Sequence, residues 1–309
     1  MRSSHLVDVL TDMLQRSHAH GAAFSHSTIR GRFGLAMDAV PGLAVHAIVE
    51  GELYLWTDGA PERLLGGDIV LVRGGVDHHI GTEHGRPCQP LLEYMGETRV
   101  GPRRFVRGEA GERSEFFCGA YVFEGDICTR LLDLLPETVR LRPAAGSALR
   151  ATLDLLAREM LDDEPGQQTL LDRLLDVALV QVLREQFAAQ GAEAPAWFRA
   201  SRDPELGPVL RAVHEDPARR WTVEELADQA SLSRAAFARR FTAQMGVAPL
   251  AYLNGWRMAL ARERLRDGDE RIAAVANALG YASEFSFAAA FKRHHGVAPG
   301  RWRTAAART

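Results

Sequence analysis

The chain has 309 residues, of which 46% are hydrophobic, and its 37 lysines and arginines against 40 aspartates and glutamates leave a formal net charge of −3. This length and hydrophobicity predict about two domains with a substantial buried core. No apolar run approaches the ~18 residues that a membrane-spanning helix needs, and Asp8 and Asp12 stand where a secretory signal would be apolar, so we expect no membrane partner and a cytoplasmic location. The three cysteines, Cys88, Cys118 and Cys128, have no CxxC spacing, which argues against a disulfide framework and a zinc finger and predicts reduced thiols.

The charge is distributed unevenly along the chain. Residues 203–309 carry 16 lysines and arginines against 12 aspartates and glutamates, a net of +4, and the remaining residues carry −7. A positive terminal part suits the neutralisation of phosphates, although an excess of this size is a weak signal alone.

The first 123 residues change from a helical to a strand-like pattern. Residues 1–20 have apolar side chains at helical spacing, which predicts a short amphipathic helix. From Phe24 to about Phe123, short β-type runs alternate with turn residues. The clearest of these runs are Leu43–Val49, Leu53–Trp56 and Ile69–Val72. Such short strands, with turns about every ten residues, predict an antiparallel sandwich or barrel.

Two helices follow the strand-like part. The pattern predicts a helix over 149–161 and another over 170–187, and the second is apolar over most of its circumference. Such a helix is either a buried core helix or one that faces both its own domain and another subunit. We expect a homodimer interface within 149–187, with Val182 at the seam. Residues 191–203 are expected to be a linker, with helices resuming near Pro204.

The same short sequence occurs twice near the end of the chain, 50 positions apart. The first copy runs over Phe237–Phe241 and on to Gly246–Pro249, and the second over Phe287–Phe291 and on to Gly296–Pro299. A helix of small residues and a tight turn precede each copy. This is the pattern of a helix-turn-helix, and two such units side by side predict a DNA-binding protein.

Each copy is expected to be a recognition helix whose phenylalanines face inward. Ser233 and Ser283 are suitable N-caps, and a glycine ends each helix. The outward residues, including Thr242 and Lys292, would then enter the major groove. The expected base contacts are Arg234, Ala235, Ala238, Arg239, Glu284, Phe285, Ala288 and Ala289.

Arg239 is the strongest of these candidates, because an arginine offers the paired donors that suit guanine, whereas its alternative is a solvated surface arginine. Phe285 is either a contact to a thymine methyl group or a core residue. Other residues are expected to contact phosphates without reading sequence. These are Arg219, Arg220, Ser233, Ser283, Lys292, Arg293, Arg301 and Arg303.

Residues 204–304 resemble the DNA-binding domain of AraC-type transcription regulators over its full length, and Ile272–Pro299 is close to that family's signature. The resemblance implies two helix-turn-helix units joined by a long helix, here about Leu250–Arg266, and recognition helices that read successive major-groove segments. The family often has arginine where this chain has Ala289. Base reading by the second helix is therefore expected to be mainly apolar.

Two segments of the strand-like part resemble cupin motifs. Gly67–His78 is similar to the second motif, with Arg73 in place of the usual proline, and 41–51 is similar to a reduced first motif that keeps one histidine, His46. Residues 5–190 are similar to the cupin sensor domains fused to AraC-type readers. The resemblance implies an effector pocket and dimerisation.

We expect the effector to bind at His46, Trp56 and His78, at the mouth of the barrel. A divalent metal on His46 and His78, with His79 or His84 as a third ligand, is the competing hypothesis. It is weaker than hydrogen bonding of the two histidines to each other or to an organic effector, because one strand carries only one histidine.

Two other functions compete with effector sensing. Cys88 lies near basic and imidazole groups that would favour a thiolate and redox sensing, whereas Cys118 and Cys128 lie in or beside apolar runs, as buried thiols do. A metal-dependent cupin enzyme would need about three ligands, which the chain supplies poorly, and would not explain the doubled helix-turn-helix.

The sequence therefore predicts an α+β protein: a cupin-like β-barrel with a helical dimerisation segment over 1–190, a linker over 191–203, and an all-α domain with two helix-turn-helix units over 204–309. We expect a regulator without catalytic activity or a certain cofactor. Its expected partners are double-stranded DNA, a second copy of itself and a small-molecule effector, with RNA polymerase as a further candidate.

Overall fold

The computed structural model describes residues 8–16, 18–124, 127, 131–161, 164–267 and 270–306. The chain divides into a sheet unit on residues 18–124 and 129–189 and a helical unit on residues 1–17, 125–128 and 190–309. The predicted α+β class, a cupin-like β domain followed by an all-helical part, is confirmed. Among the helices described here, none is long and apolar enough to cross a membrane.

The strands of the sheet unit form two sheets. They are β1 (His18–Arg30), β2 (Gly34–Met37), β3 (Leu43–Glu50), β4 (Glu52–Trp56), β5 (Glu62–Leu65), β6 (Ile69–Arg73), β7 (His78–Gly81), β8 (Gln89–Pro90), β9 (Arg104–Arg107), β10 (Arg113–Glu124) and β11 (Thr138–Leu141). One sheet has the order β11-β6-β3-β10-β1-β9 and the other the order β5-β4-β7-β2-β8. Neighbouring strands are antiparallel, as predicted, except that β1 and β9 run parallel, as do β2 and β8.

Strand β3 distributes its side chains between two environments, because successive residues of a strand point to opposite faces. Ala44 and Ile48 belong to the apolar core between the two sheets, and His46 lies on the same face. Val45 and Ala47 point the other way, towards the outer surface of the six-stranded sheet. The sheet unit therefore has a core inside the sandwich and a second apolar layer outside it.

Helices supply the partner for that outer layer. The helices of the sheet unit are α2 (Leu91–Thr98), α3 (Ala148–Glu159) and α4 (Gln167–Ala189). Leu156 of α3 and Leu179 of α4 line the same apolar space as Val45 and Ala47 of β3. The helices predicted over 149–161 and 170–187 are thus present, whereas α2 was not predicted.

The expectation for Val182 needs correction. This residue is only 3% exposed and faces the six-stranded sheet of its own chain, so it is not at a subunit seam. The apolar residues that remain accessible lie elsewhere on the two helices: Leu155 is 51% exposed, Leu170 52% and Val177 46%. The six-stranded sheet of the same chain covers the buried part of the apolar surface of α4.

The helical unit contains both helix-turn-helix units. Its helices are α1 (Val9–Arg16), α5 (Ala196–Ser201), α6 (Leu206–Glu215), α7 (Val223–Gln229), α8 (Arg234–Met245), α9 (Pro249–Asp267), α10 (Ile272–Ala278), α11 (Glu284–His295) and α12 (Pro299–Ala306). Helices α7 and α8 form the first helix-turn-helix, α10 and α11 form the second, and α9 connects them. The long connecting helix was predicted with nearly these bounds.

The repeated phenylalanines form the core of each helix-turn-helix, as predicted. Phe237 and Phe241 are at most 1% exposed, and Phe287 and Phe291 are fully buried. Each recognition helix ends at a glycine in the left-handed conformation, Gly246 with φ 73° and Gly296 with φ 77°. A glycine adopts this conformation without the steric cost that other residues meet.

The two helix-turn-helix units also contact each other through the segment that precedes α7. Arg257 of α9 is 8% exposed and donates hydrogen bonds to the carbonyl oxygens of Pro217 at 2.6 Å and Arg219 at 2.8 Å. Gly280, in the turn of the second unit, has φ 78°, and a Cβ at this position would lie 1.9 Å from the carbonyl oxygen of Ala218. These contacts fix the second unit against the first.

The first twenty residues differ from the prediction. Helix α1 ends at Arg16, and β1 begins at His18 because it pairs with β10 from His18 to Arg30. Residues 1–7 of the predicted helix lie outside the described residues. Val9 of α1 packs into the core of the helical unit, and His214 donates from Nδ1 to the carboxylate of Asp12 at 2.8 Å. An amphipathic pattern does not reveal which unit will cover the apolar face.

The expected linker is folded where the structure describes it. A 3-10 turn spans Gly191–Glu193, and α5 places Phe198 and Ala200 in buried positions. Helix α1 and the residues from 190 onwards belong to the helical unit, whereas the sequence predicted residues 1–190 as one cupin-like domain.

Candidate functional site

Helix α8 presents the first candidate DNA-reading surface. Its N-cap Ser233 accepts a hydrogen bond from the backbone N–H of Ala236, so the helix begins where the sequence predicts. Arg234, Ala235 and Arg239 are exposed and Ala238 is half-buried on the face opposite the phenylalanines. The expected outward stripe is thus on one accessible face.

The arginines of α8 differ in their partners. Arg240 is bound by Asp203 at 2.9 Å and by Glu205 at 2.7 Å, and Arg234 pairs with Glu224 at 3.1 Å. Arg239 has no ion pair within the described part of the chain. The guanidinium of Arg239 can therefore contact a base without first breaking an ion pair, whereas Arg234 and Arg240 each have an acidic partner.

Helix α11 presents a second surface of different chemistry. Ser283 caps it by accepting from the N–H of Ser286 at 3.2 Å. Phe285 is 85% exposed, which excludes the core alternative for this residue. Ala288 is half-buried, and Glu284 and Ala289 are exposed. An exposed aromatic ring beside small residues forms an apolar surface that can contact a partner.

The expected phosphate contacts fall into two groups. Arg220, Lys292, Arg293 and Arg301 are exposed without an ion pair among the described residues. The others have structural roles within the helical unit. Arg219 binds Glu225 at 2.8 Å and stacks on Trp221, Arg303 is half-buried and donates to the Glu270 carbonyl at 2.5 Å, and Ser233 and Ser283 cap their helices.

In the sheet unit, His46, His78 and Cys118 form a buried hydrogen-bonded chain. The Nδ1 of His46 lies 2.9 Å from the Cys118 sulfur and its Nε2 lies 2.8 Å from the Nε2 of His78, whose Nδ1 is 3.2 Å from the Val76 carbonyl oxygen. One set of neutral tautomers satisfies every bond: the thiol donates to His46, His46 donates to His78, and His78 donates to Val76.

The surroundings of these three side chains favour their neutral forms. Burial lowers the pKa of His46 well below the usual value, with a further contribution from the nearby His78, and burial also lowers the pKa of His78. Burial raises the pKa of the Cys118 thiol. Each ring nitrogen of His46 already faces a protein partner, so this geometry suits a structural element of the core better than an open ligand site.

The three expected effector residues do not line one cavity. Trp56 of β4 is paired with His79 of β7, one residue away from His78, so it lies on the opposite face of the sheet from His78. Its ring stacks on His79 with the ring centres 5.4 Å apart and meets the edge of His84 at 5.3 Å. A pleated sheet separates Trp56 from the His46–His78 pair.

The metal and redox alternatives gain no support. Within the described residues, no group of three or more histidine, cysteine, aspartate or glutamate side chains could hold a metal ion, and His79 and His84 lie with Trp56 on the far face. Partial burial raises the pKa of Cys88, contrary to the expected thiolate, and its sulfur lies 3.3 Å from the Arg86 carbonyl oxygen. Cys128 lies outside the described residues.

Two features of the packing had no signal in the sequence. Arg257 appears in no motif, because only the fold brings its guanidinium to the carbonyl groups before α7. The apolar space between the six-stranded sheet and helices α3 and α4 is likewise a product of packing.

The fold and its surfaces define a two-unit transcription regulator with a cupin-like sheet unit and a helical DNA-binding unit. The cupin family model matches residues 8–188, and a helix-turn-helix domain model matches residues 226–305. A putative AraC-like transcription regulator of Streptomyces lividans is 33% identical over 96% of this chain and 97% of its own length. The chain belongs to the AraC family of transcription regulators.

Other known proteins are also similar to this chain. The transcriptional regulator AlkR of Acinetobacter baylyi is 28% identical over 96% of this chain and 99% of its own length. The DNA-binding domain of AdpA, solved with a target DNA, is 32% identical, covers 33% of this chain and 93% of its own, and has a TM-score of 0.32. ToxT of Vibrio cholerae, solved with an unsaturated fatty acid, is 12% identical over 91% of this chain and 94% of its own, with a TM-score of 0.35. These relatives are regulators, in agreement with the expectation of no catalytic activity.

Proposed function

We propose that the protein is a sequence-specific regulator that reads DNA with helices α8 and α11 and responds to a small-molecule effector in its sheet unit. The observation that carries the DNA-reading part is the exposed Arg239, which has no acidic partner in the described chain, on a face that otherwise bears small residues. Small side chains permit close approach to base edges, and the guanidinium suits the two acceptors of guanine.

The second helix would read DNA by apolar contact. Phe285 is 85% exposed at the start of α11, and Ala288 and Ala289 follow on the same side. A thymine methyl group is the apolar feature that the major groove offers to such a surface. Arg220, Lys292, Arg293 and Arg301 would position the protein on the phosphates, which adds affinity without sequence preference.

A homodimer is proposed through the exposed apolar residues of α3 and α4. Leu155, Leu170 and Val177 are each about half exposed on helices whose opposite sides are already buried by their own sheet. Covering these leucine and valine side chains in an interface would lower the free energy, because apolar surface would be removed from water. A dimer would place two helical units on paired DNA sites. We also propose that the protein contacts RNA polymerase and is located in the cytoplasm.

The experiment is selection of bound DNA from a random pool by the full chain, with the Arg239→Ala variant selected in parallel. We expect the wild-type protein to enrich a defined motif with a conserved guanine that the variant no longer requires. Enrichment of the same motif by both proteins would contradict base reading by Arg239. Failure of the wild-type protein to enrich any motif would contradict the proposed function itself.

A further inference from the structure

Arg257 lies on the connecting helix α9 at the point where the core of the first helix-turn-helix ends and the core of the second begins. Leu253, one turn earlier on α9, packs into the core that contains the phenylalanines of α8. Trp256 and Met258, on either side of Arg257, pack into the core that contains the phenylalanines of α11. The side chain of Arg257 is only 8% exposed, so it is buried at the junction of the two units.

The guanidinium of Arg257 contacts both units. It donates from Nε to the carbonyl oxygen of Pro217 at 2.6 Å and from Nη2 to that of Arg219 at 2.8 Å, in the segment that leads into α7 of the first unit. In the turn of the second unit, the ring centre of Tyr281 lies 5.8 Å from the guanidinium carbon. A cation at this distance from an aromatic ring is attracted to its face. One side chain therefore links the two helix-turn-helix units.

The segment that Arg257 holds is itself fixed. The indole N–H of Trp221 donates to the Asp216 carbonyl oxygen at 3.0 Å, and the backbone N–H of Arg219 donates to the Asp216 carboxylate at 3.0 Å. The turn of the second unit lies directly on this segment, because a Cβ at Gly280 would meet the Ala218 carbonyl oxygen at 1.9 Å. A change in the angle between the units would therefore break the hydrogen bonds of Arg257.

The distance between the units matters for reading DNA. One added base pair moves the next major-groove segment by about 3.4 Å along the axis and by about a tenth of a turn around it. Two recognition helices in a fixed arrangement can therefore fit one spacing of their DNA segments and not the next, whereas two loosely joined helices would fit both.

We propose that Arg257 is a positioning residue that sets the number of base pairs between the DNA segments read by α8 and α11. The inference rests on the proposed function, in which both helices read DNA. Arg257 itself touches no DNA in this proposal. It acts by holding the segment before α7 and the turn before α11 in one arrangement.

The chemistry of the contact requires arginine. The two carbonyl oxygens belong to Pro217 and Arg219, and a planar guanidinium reaches both with donors in a fixed geometry. Lysine would keep the positive charge but has all its donors on one nitrogen, so it cannot hold both carbonyl groups in the same way. Arg257→Lys should therefore loosen the junction and leave the reading surfaces of α8 and α11 intact.

The first test measures the affinity of the full chain for its selected DNA motif and for the same motif with one base pair inserted or removed between the two segments. Parallel selections with Arg239→Ala and Phe285→Ala define the segments. We expect the wild-type protein to bind the altered spacings at least tenfold more weakly. Arg257→Lys should reduce this difference to less than threefold, with the same base preference within each segment.

Two controls separate positioning from a general loss of stability. Arg264→Lys makes the same change at an exposed position of α9, and Gly296→Ala costs stability at the end of α11, where nothing lies within 4 Å of a new Cβ. Both variants should keep the tenfold discrimination. Wild-type discrimination in Arg257→Lys would overturn the proposal. If Arg257→Lys does not fold, Arg257→Gln, which keeps one amide donor for the carbonyl groups, takes its place.

A second test needs no DNA. A nitroxide-bearing amino acid is placed at Ala243 of α8 and Ala289 of α11, both exposed, and pulsed electron paramagnetic resonance measures the distance between the labels in the full chain. We expect one narrow distance distribution in the wild-type background and with Arg264→Lys, and a broader one with Arg257→Lys. Equal widths in all three proteins would show that Arg257 does not position the units.

The two tests distinguish failure of this inference from failure of the proposed function. A wild-type protein that selects a motif but tolerates both altered spacings would support DNA reading and overturn the spacing role of Arg257. A wild-type protein that selects no motif would contradict the proposed function. A broader distance distribution in Arg257→Lys would then still support Arg257 as the residue that positions the two units.

Discussion

Arg239 and Arg240 are consecutive residues of α8 with opposite electrostatic surroundings. Asp203 and Glu205 hold Arg240, whereas Arg239 has no acidic partner in the described chain. The difference follows from helical geometry, because adjacent residues point about 100° apart and only Arg240 faces the segment between α5 and α6. The two arginines therefore form a natural pair of test positions.

Arg239→Ala should weaken binding to the selected DNA site by about 1 to 3 kcal/mol and relax the preference at one base, since a paired contact to guanine is lost. Arg240→Ala removes only a partly exposed ion network and should leave base preference unchanged, with a stability loss of up to about 1 kcal/mol. Titrations against the site and its single-base variants, together with urea unfolding, measure both effects. A change in base preference by Arg240→Ala alone would reverse the assignment.

Arg293→Ala should weaken binding to all sequences alike. A phosphate contact releases counterions whatever the base, so the slope of log affinity against log salt should fall by about 0.9. Binding measured over a salt series on specific and nonspecific DNA tests this, with Arg173→Ala, an exposed arginine of α4, as control. An altered motif with an unchanged salt slope would show that Arg293 reads bases.

Gly280→Ala should be much more disruptive than Gly296→Ala. Both glycines have φ near 77°, so alanine costs about 1 kcal/mol at either position for the left-handed conformation. Only Gly280 has a neighbouring atom in the way, the Ala218 carbonyl oxygen, whereas nothing lies within 4 Å of a Cβ at Gly296. We expect a loss of more than about 3 kcal/mol for Gly280→Ala in urea unfolding. Equal losses would mean that the two helix-turn-helix units are not in close contact.

Stability should fall as the pH drops below about 6.5 because of His46 and His78. Burial lowers the pKa of both in the folded chain, so below the unfolded value of 6.5 the unfolded chain binds more protons and is favoured. Each histidine contributes at most about 1.4 kcal/mol per pH unit. His46→Gln should reduce the slope of unfolding free energy between pH 6.5 and 5. An unchanged slope would indicate that His46 is not neutral and buried.

Val177→Asp and Val182→Asp should separate association from folding. Val177 is 46% exposed and Val182 is 3% exposed, although both lie on α4. Val177→Asp should dissociate the proposed dimer in sedimentation with little loss of unfolding free energy, because only an interface would bury the carboxylate. Val182→Asp should lower the unfolding free energy severely, since it places an unpaired charge in the chain's own core. A monomeric wild-type protein would contradict the dimer.

Local patterns were sufficient for the helical unit. The repeated phenylalanines, the serine caps and the terminal glycines each act within one helix, and the structure has them in the predicted roles. The short β-type run Leu43–Val49 likewise indicated a strand, which the structure has as β3. Resemblance to known families added the pairing of a cupin-like domain with a DNA-binding domain, which the family comparisons confirm.

Contacts distant in sequence could not be predicted in the same way. The sequence predicted that Trp56 and His78 line one cavity, but the structure has them on opposite faces of the sheet. The reason is the strand register, because Trp56 of β4 pairs with His79 of β7 and not with His78.

The sequence by itself determined the class of this protein, because a doubled helix-turn-helix and short strands separated by turn residues are local patterns that each residue's neighbours along the chain are enough to produce. Only the tertiary structure decided which arginine of α8 has no acidic partner among the described residues, which face of α4 remains exposed, and that α3 and α4 pack on the outer face of the six-stranded sheet. These properties depend on side chains that are far apart in the sequence, as Arg240 is from Asp203 and Val182 is from Val45, and such contacts follow from packing and not from any local preference.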